Sequence, residues 1–196
     1  MRLCAALLGF ALVSPACRTP ARQYAQAPRA PCPAPVIDVS RWDLIDRRIF
    51  TFRLPPGFHQ IPAQGIDSYV EQFEADGGMS RVTFDFGWYG GDVAFDPGMY
   101  AHYSRCAEVI GGRSATLVTA ILINPNWPRQ DGRQLAVAAW RNVRDLPGTI
   151  PGKDHLTISA ETRDRVRFRQ FLALLRTVEF RPQLDGAHAL MSDRRH

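Results

Sequence analysis

An α+β domain, mainly antiparallel sheet with two helices packed on it, is the fold class that this sequence predicts. Three observations point there. Several segments alternate large apolar and polar residues with period two, the mark of half-buried strands. Only two segments carry helical spacing or helix caps. The order is several strands, a helix, three strands, a helix and a last strand, and runs of consecutive strands imply antiparallel pairing. The chain has 196 residues, 45% of them hydrophobic and 22% charged, enough for one ordinary core and too apolar for a disordered polyelectrolyte.

Taken in order, Phe50, Phe52 and Leu54 alternate with Thr51 and Arg53 in a first strand over 48–54. Pro55-Pro56-Gly57 stops it. Phe58 to Ile61 reads as a short return strand, and Gln64-Gly65 turns the chain into Ser68–Glu74, whose apolar spacing is ambiguous and is assigned to strand. Ala75-Asp76-Gly77-Gly78 is turn material. Arg81 to Trp88 is the clearest strand, with Val82, Phe84, Phe86 and Trp88 on one face. Asp96-Pro97 has the composition of a helix start, and Met99, Tyr103, Cys106 and Ile110 fit one helical face that Gly111-Gly112 would end. Ser114–Ile123 and Gln134–Val143 read as strands joined by a long hairpin loop, and 156–161 as another. Arg163 to Arg176 predicts the second helix, with Phe168, Phe171, Leu172 and Leu175 spaced i, i+3, i+4, i+7. Val178 to Phe180 closes the domain as a last strand.

The expected organisation is a signal peptide over residues 1–16, a Pro/Ala/Arg-rich linker over 17–41, one domain over 42–182 and a polar tail over 183–196. Arg2 supplies a positive n-region, Leu3 to Val13 an apolar run, and Ser14-Pro15-Ala16 small residues at a cleavage position. The run falls short of the roughly 20 residues needed to span a bilayer. Cys17 stands where the lipid-accepting cysteine of bacterial lipoproteins stands, and resembles it. Ser14 replaces the usual leucine of that motif and Pro15 intrudes, so lipidation of Cys17 and plain secretion are both open. With Cys4 in the leader, Cys32 and Cys106 are the natural disulfide pair in an oxidising compartment. Two free thiols are the other reading.

Net charge is +5, and nearly all basic residues are Arg, with Lys153 the sole lysine. Residues 41–100 hold five Arg against nine Asp or Glu, whereas residues 101–196 hold fifteen basic against nine acidic residues. The densest basic run, Arg163, Arg165, Arg167 and Arg169, is interleaved with Phe168 and Phe171 of the apolar side. It reads as a solvated helix face rather than a nucleic-acid surface.

Motifs for chemistry are sparse. Asp85-Phe86-Gly87 spells a kinase metal-binding tripeptide but lacks every companion motif, so it reads as a strand end. His102 and Cys106, four apart on the expected helix, could share a metal, but Cys106 is claimed by the disulfide. Asp92 and Asp96 lack the alternation of a calcium loop. Ser68 is outside any nucleophile elbow, and His59 and His155 are isolated. No cofactor is expected. Trp88, Tyr89, Tyr100 and Tyr103 flank Gly90-Gly91 and are the expected binding patch, with core packing as the alternative.

Leu54-Pro55-Pro56-Gly57-Phe58 after the opening strand, a central helix closed by Gly111-Gly112, a three-strand meander and a closing helix with Thr177-Val178-Glu179-Phe180 resemble the PsbP-like fold. That family includes extrinsic photosystem subunits and many bacterial exported proteins. The resemblance covers roughly residues 45–181 and brings no ligand-binding motif, so no functional residue is carried over. It implies a non-catalytic accessory or binding module. The export signal and Cys17 add the expected partners: an envelope protein or small ligand, no nucleic acid, and a membrane only through a lipid anchor. A small secreted hydrolase, with His59, His102 or His155 and an acid gathered in three dimensions, is the alternative.

Overall fold

The computed structural model describes residues 32–47, 49–66, 68–87, 99–123, 132–143 and 154–181. The strands are β1 (Asp43–Asp46), β2 (Phe50–Leu54), β3 (His59–Ile61), β4 (Ser68–Ala75), β5 (Ser80–Gly87), β6 (Tyr100–Ile110), β7 (Arg113–Leu122), β8 (Gln134–Trp140), β9 (His155–Thr162) and β10 (Glu179–Phe180). One helix, α1 (Arg165–Arg176), lies between β9 and β10, and a single 3-10 turn over Asp76–Gly78 links β4 to β5. Seven strands form a sheet in the order β3-β4-β5-β9-β8-β7-β6, and β1-β2-β10 form a second, smaller one. Every pairing among the described residues is antiparallel. The large sheet is two meanders, β3-β4-β5 and β6-β7-β8-β9, joined by the β5–β9 pair.

Cross-strand register explains the core. Phe84, Ile158, Ala138, Leu117 and Cys106 stand opposite one another across five strands, so the odd–even alternation of each strand puts all five on one face. All are buried. The β4–β5 half of that face is covered by β2: Phe50 meets Phe84 edge-on at 5.3 Å, and Phe52 meets Phe73 and Phe84 at 6.2 and 6.1 Å between ring centroids. The β8–β9 half is covered by α1. There the inward residues Ala136, Ala138 and Ala160 are small, which leaves room for Phe171, Leu174 and Leu175 of the helix at interior packing density.

The helix is fixed at both ends. Asp164 is its N-cap and accepts hydrogen bonds from the amides of Val166 and Arg167 at 2.6 and 2.8 Å. The Arg167 guanidinium reaches both carboxylate oxygens of Asp76 at 3.2 Å and the Pro56 carbonyl, and lies over the Phe58 ring. At the other end the Thr177 hydroxyl donates to the Leu174 carbonyl and accepts from the Arg53 amide of β2.

One expectation is corrected. The segment with helical spacing from Met99 to Ile110 is strand β6, so the described residues hold one helix rather than two. The helical spacing takes residues from both faces of the strand: Cys106 and Ile110 are buried, whereas Tyr103 is exposed. The register with β7 also slips by one residue between Ala101 and Ser104, a bulge where His102 takes φ +51°. Gly111 and Gly112, read as a helix exit and part of the PsbP-like resemblance, are instead the two-residue β6–β7 turn, with φ +59° and +76°. The expected start of that helix, Asp96-Pro97, lies outside the described residues. At the end of the expected linker, Cys32, Ile37 and Val39 pack on the core, ahead of buried Trp42. Cys32 and Cys106 form a disulfide with Cα atoms 5.5 Å apart. Strand β1 was missed, because in four residues it offers only one inward apolar side chain, Ile45.

Two predictions follow from this geometry. A Cβ at Gly111 would sit 2.5 Å from the Val178 carbonyl oxygen, whereas one at Gly112 would meet nothing within 4 Å. Gly111→Ala is expected to cost about 2–4 kcal/mol and Gly112→Ala about 1 kcal/mol, both through positive φ and only the first also through collision; urea denaturation measures both. The Arg167 guanidinium holds the Asp76 carboxyl below the ordinary carboxylate value. Its stabilising effect is therefore complete at neutral pH and is lost as pH falls below about 4 and through the folded value. Asp76→Asn is expected to be less stable than the parent at pH 7, with the gap closing in strong acid when denaturation midpoints are compared across pH.

Candidate functional site

The inner face of the large sheet carries one acid that the alternation pattern would reserve for an apolar residue. On β4, Tyr69, Glu71 and Phe73 point inward, opposite Phe86, Phe84 and Val82 of β5. Glu71 is buried. A buried carboxylate needs charge and hydrogen bonds to stay ionised, and three donors supply them. Arg47, just after β1, gives its Nε at 3.0 Å and its Nη2 to Glu71 Oε2, and its guanidinium stacks over the Phe84 ring. The Tyr69 hydroxyl donates to Glu71 Oε1. Tyr69 is 54% exposed, so this set opens to solvent at the end of β4 where Ser68 pairs with Gly87.

The electrostatics define what this cluster can do. The hydrogen bond to Glu71, then burial, then the Glu71 charge push the Tyr69 phenol above its ordinary value. It stays protonated at neutral pH and acts as a donor. Both Glu71 oxygens are already occupied. The set therefore suits holding a fixed polar surface rather than abstracting a proton. Sequence reasoning missed it. The signal was present in Tyr69-x-Glu71-x-Phe73, a carboxylate inside an apolar stripe.

Of the expected binding patch, Trp88 and Tyr89 lie outside the described residues. Tyr100 and Tyr103 are on β6, at the edge of the large sheet. Tyr100 pairs with Leu122, and the bulge brings Tyr103 back into phase, so both point to the outer face. Tyr103 is exposed. Tyr100 is half-buried, and burial together with the Glu161 charge raises its ionisation above the ordinary value. Glu161 itself sits in a transverse line of alternating charge on the outer face. His59, Glu74, Arg81 and Glu161 are register neighbours across β3, β4, β5 and β9, and Arg133 closes the line at 2.7 Å from Glu161.

The remaining candidates separate in space. His102 and Cys106 are on a strand, where four residues span about 13 Å, and Cys106 is bonded to Cys32. His59 and His102 occupy the two opposite edge strands, six strand spacings or roughly 29 Å apart. His155 is six residues along β9 from the row that contains His59, roughly 20 Å away, and its Nδ1 accepts from the Asn142 amide. His59 alone among them meets a carboxylate, Glu74 at 3.4 Å, in an exposed setting. Among the described residues no three His, Cys, Asp or Glu gather as a metal site. Ser68 is the first residue of β4, and Asp85 is on the outer face opposite Val70 and Thr157. Of the Arg run, Arg167 is bound to Asp76 and Pro56. Asp92, Asp96 and Cys17 lie outside the described residues. No described helix is long and apolar enough to cross a membrane.

Removing one member of the Glu71 set leaves a remaining group short of a hydrogen bond. Glu71→Gln is expected to cost roughly 2–3 kcal/mol and Tyr69→Phe about 1 kcal/mol in denaturant unfolding, the second smaller because Tyr69 is half in water. The tyrosinate absorbance of Tyr69 should also return toward pH 10 in Glu71→Gln, since Glu71 is the first cause of its shift. The parent's Tyr69–Glu71 bond contributes stability up to about pH 10 and loses it as pH rises through the folded value.

No family model matches the chain, and no curated protein is significantly similar to it.

Proposed function

We propose that this protein is an exported accessory or binding module that does no catalysis, held to an envelope surface through Cys17 or released. The observation that carries the reading is the Cys32–Cys106 disulfide directly downstream of a leader-like N-terminus, Arg2 followed by the apolar run Leu3–Val13. A structural disulfide is at home in an oxidising compartment. Two further features support it. The Tyr69–Glu71–Arg47 set has its carboxylate oxygens occupied and its phenol protonated, as in a rigid recognition surface. Tyr100 and Tyr103 present aromatic side chains on the same face of an edge strand, and aromatic residues are the usual anchors of binding surfaces.

A PsbP-like relationship belongs to the same proposal. It keeps the Pro55-Pro56-Gly57 turn after β2, the meander β7-β8-β9 and the closing α1–β10 unit, and it loses the central helix. The partner class is an envelope protein or a small ligand.

Cell fractionation with mass measurement of the recovered chain tests export. The expected result is recovery outside the cytoplasm with residues 1–16 removed; recovery of the intact chain in the cytoplasm overturns it. Affinity capture from envelope extract tests binding. An enriched partner that Tyr103→Ala reduces at least tenfold is expected, and capture unchanged by Tyr103→Ala places the surface elsewhere.

A further inference from the structure

The N-terminal arm, residues 32–42, reaches from the edge strand of the large sheet to the start of the small one without joining either ladder. Cys32 is bonded to Cys106 in the middle of β6, and Asp43 begins β1. Between them the arm's hydrogen bonds are local among the described residues: the Trp42 amide to the Val39 carbonyl at 3.1 Å and the Ser40 amide to Asp38 Oδ1 at 2.9 Å. None joins residues 32–41 to a strand. Its other attachments are apolar. Ile37 and Val39 are half-buried against the core, whereas Pro33, Ala34, Val36, Asp38, Ser40 and Arg41 are exposed. Trp42, by contrast, is buried and its carbonyl accepts from Arg53. Three half-buried residues, Pro35, Ile37 and Val39, are little to hold nine residues in place against the entropy of a free chain.

β6 does not need the arm in the same way. It is paired with β7 along most of its length. Glu108 takes both arms of the Arg176 guanidinium at 2.9 and 2.7 Å, and Ile110 is buried. The bond therefore joins a weakly held segment to a firmly held one.

We infer that the Cys32–Cys106 bond is a clamp that holds residues 33–41 against the domain. Closed, the arm is fixed at both ends, by the bond to β6 and by buried Trp42. Open, it is anchored at Trp42 alone, and residues 33–41 are released. Nine released residues have about 30 Å of reach at full extension. A dithiol opens it by balanced exchange. Its thiolate attacks the more accessible Cys32 sulfur, Cys106 leaves as thiolate and takes a proton, and the second thiol of the reagent releases Cys32 as a thiol while the reagent becomes a disulfide. The use of this clamp to set the reach of a tethered module rests on the exported reading proposed above. The clamp itself does not.

Hydrogen exchange on the purified full chain tests it, comparing the oxidised protein, the same protein reduced by dithiothreitol, and Cys32→Ser. The amides of Ile37 to Trp42 are expected to exchange at least tenfold faster in both altered forms, while those of β5, β7, β8 and β9 stay within about twofold. Unchanged exchange in the arm overturns the inference, because packing alone would then hold it. Loosening of the central strands together with the arm also overturns it, because the bond would then be a staple of the whole domain. If Cys32→Ser does not accumulate, the reduced protein gives the same reading. The measurement needs no export, so a failure here and a cytoplasmic location remain separate results.

Discussion

The large sheet has one continuous apolar face, and the domain exists because both ends of the described chain fold back onto it. Register puts Phe84, Ile158, Ala138, Leu117 and Cys106 in a single inward row. β2 covers one half of that surface and α1 the other. Neither cover could close it alone. β2 is five residues long and α1 is twelve, and a sheet face left half in water would forfeit most of its hydrophobic stabilisation. The covers are joined to each other. β10 pairs Glu179 with Thr51 and Phe180 with Phe50, and Thr177 ties the helix end to β2. Residues from opposite ends of the sequence thus form one layer, a non-local closure that makes the small sheet dependent on the helix and the helix on the small sheet.

Arginine seals the margins of this layer. Arg47 answers the inward Glu71 beside β4, Arg176 answers Glu108 on β6, and Arg167 answers Asp76 at the β4–β5 turn. In each case the guanidinium also covers an apolar or backbone group: Phe84, the Leu172 carbonyl, and Phe58 with the Pro56 carbonyl. A lysine could supply the charge but not two parallel hydrogen bonds and a stacking plane together. Part of the Arg excess is thus structural.

Much of this was legible where strands alternate cleanly. β2, β5 and β9 present Phe50-x-Phe52-x-Leu54 or its equivalent, and α1 presents Phe168, Phe171, Leu172 and Leu175, so period alone identifies them; β7 reads as a strand from its apolar run. Legibility failed wherever one residue broke the count. Glu71 occupies an apolar slot and blurred β4. A bulge interrupts β6 at His102, and outward Tyr103 with inward Cys106 and Ile110 gave the strand a helical spacing. The Gly111-Gly112 pair serves a type I′ turn as readily as a helix exit. The same slip hid part of the site: that Tyr100 and Tyr103 share a face follows from the bulge, which no pattern of side chains announces. The pairing of Arg47 with Glu71 was illegible for another reason. The two are 24 residues apart in sequence and meet only because β1 and β2 fold over β4.

The bulge and the disulfide act on the same strand, and this explains why a long edge is tolerable there. β6 has eleven residues and lies at the end of the sheet. A straight edge of that length would template pairing with another chain. The bulge at His102 breaks its regularity, Arg105 places a charge on its outer face beside Ala107 and Val109, and the bond at Cys106 brings the N-terminal arm against its middle. The three features fall within five residues. Protection of the edge and attachment of the arm are therefore one piece of construction. Opening the bond would free the arm and remove one of the three guards, while the bulge and Arg105 would remain to discourage pairing.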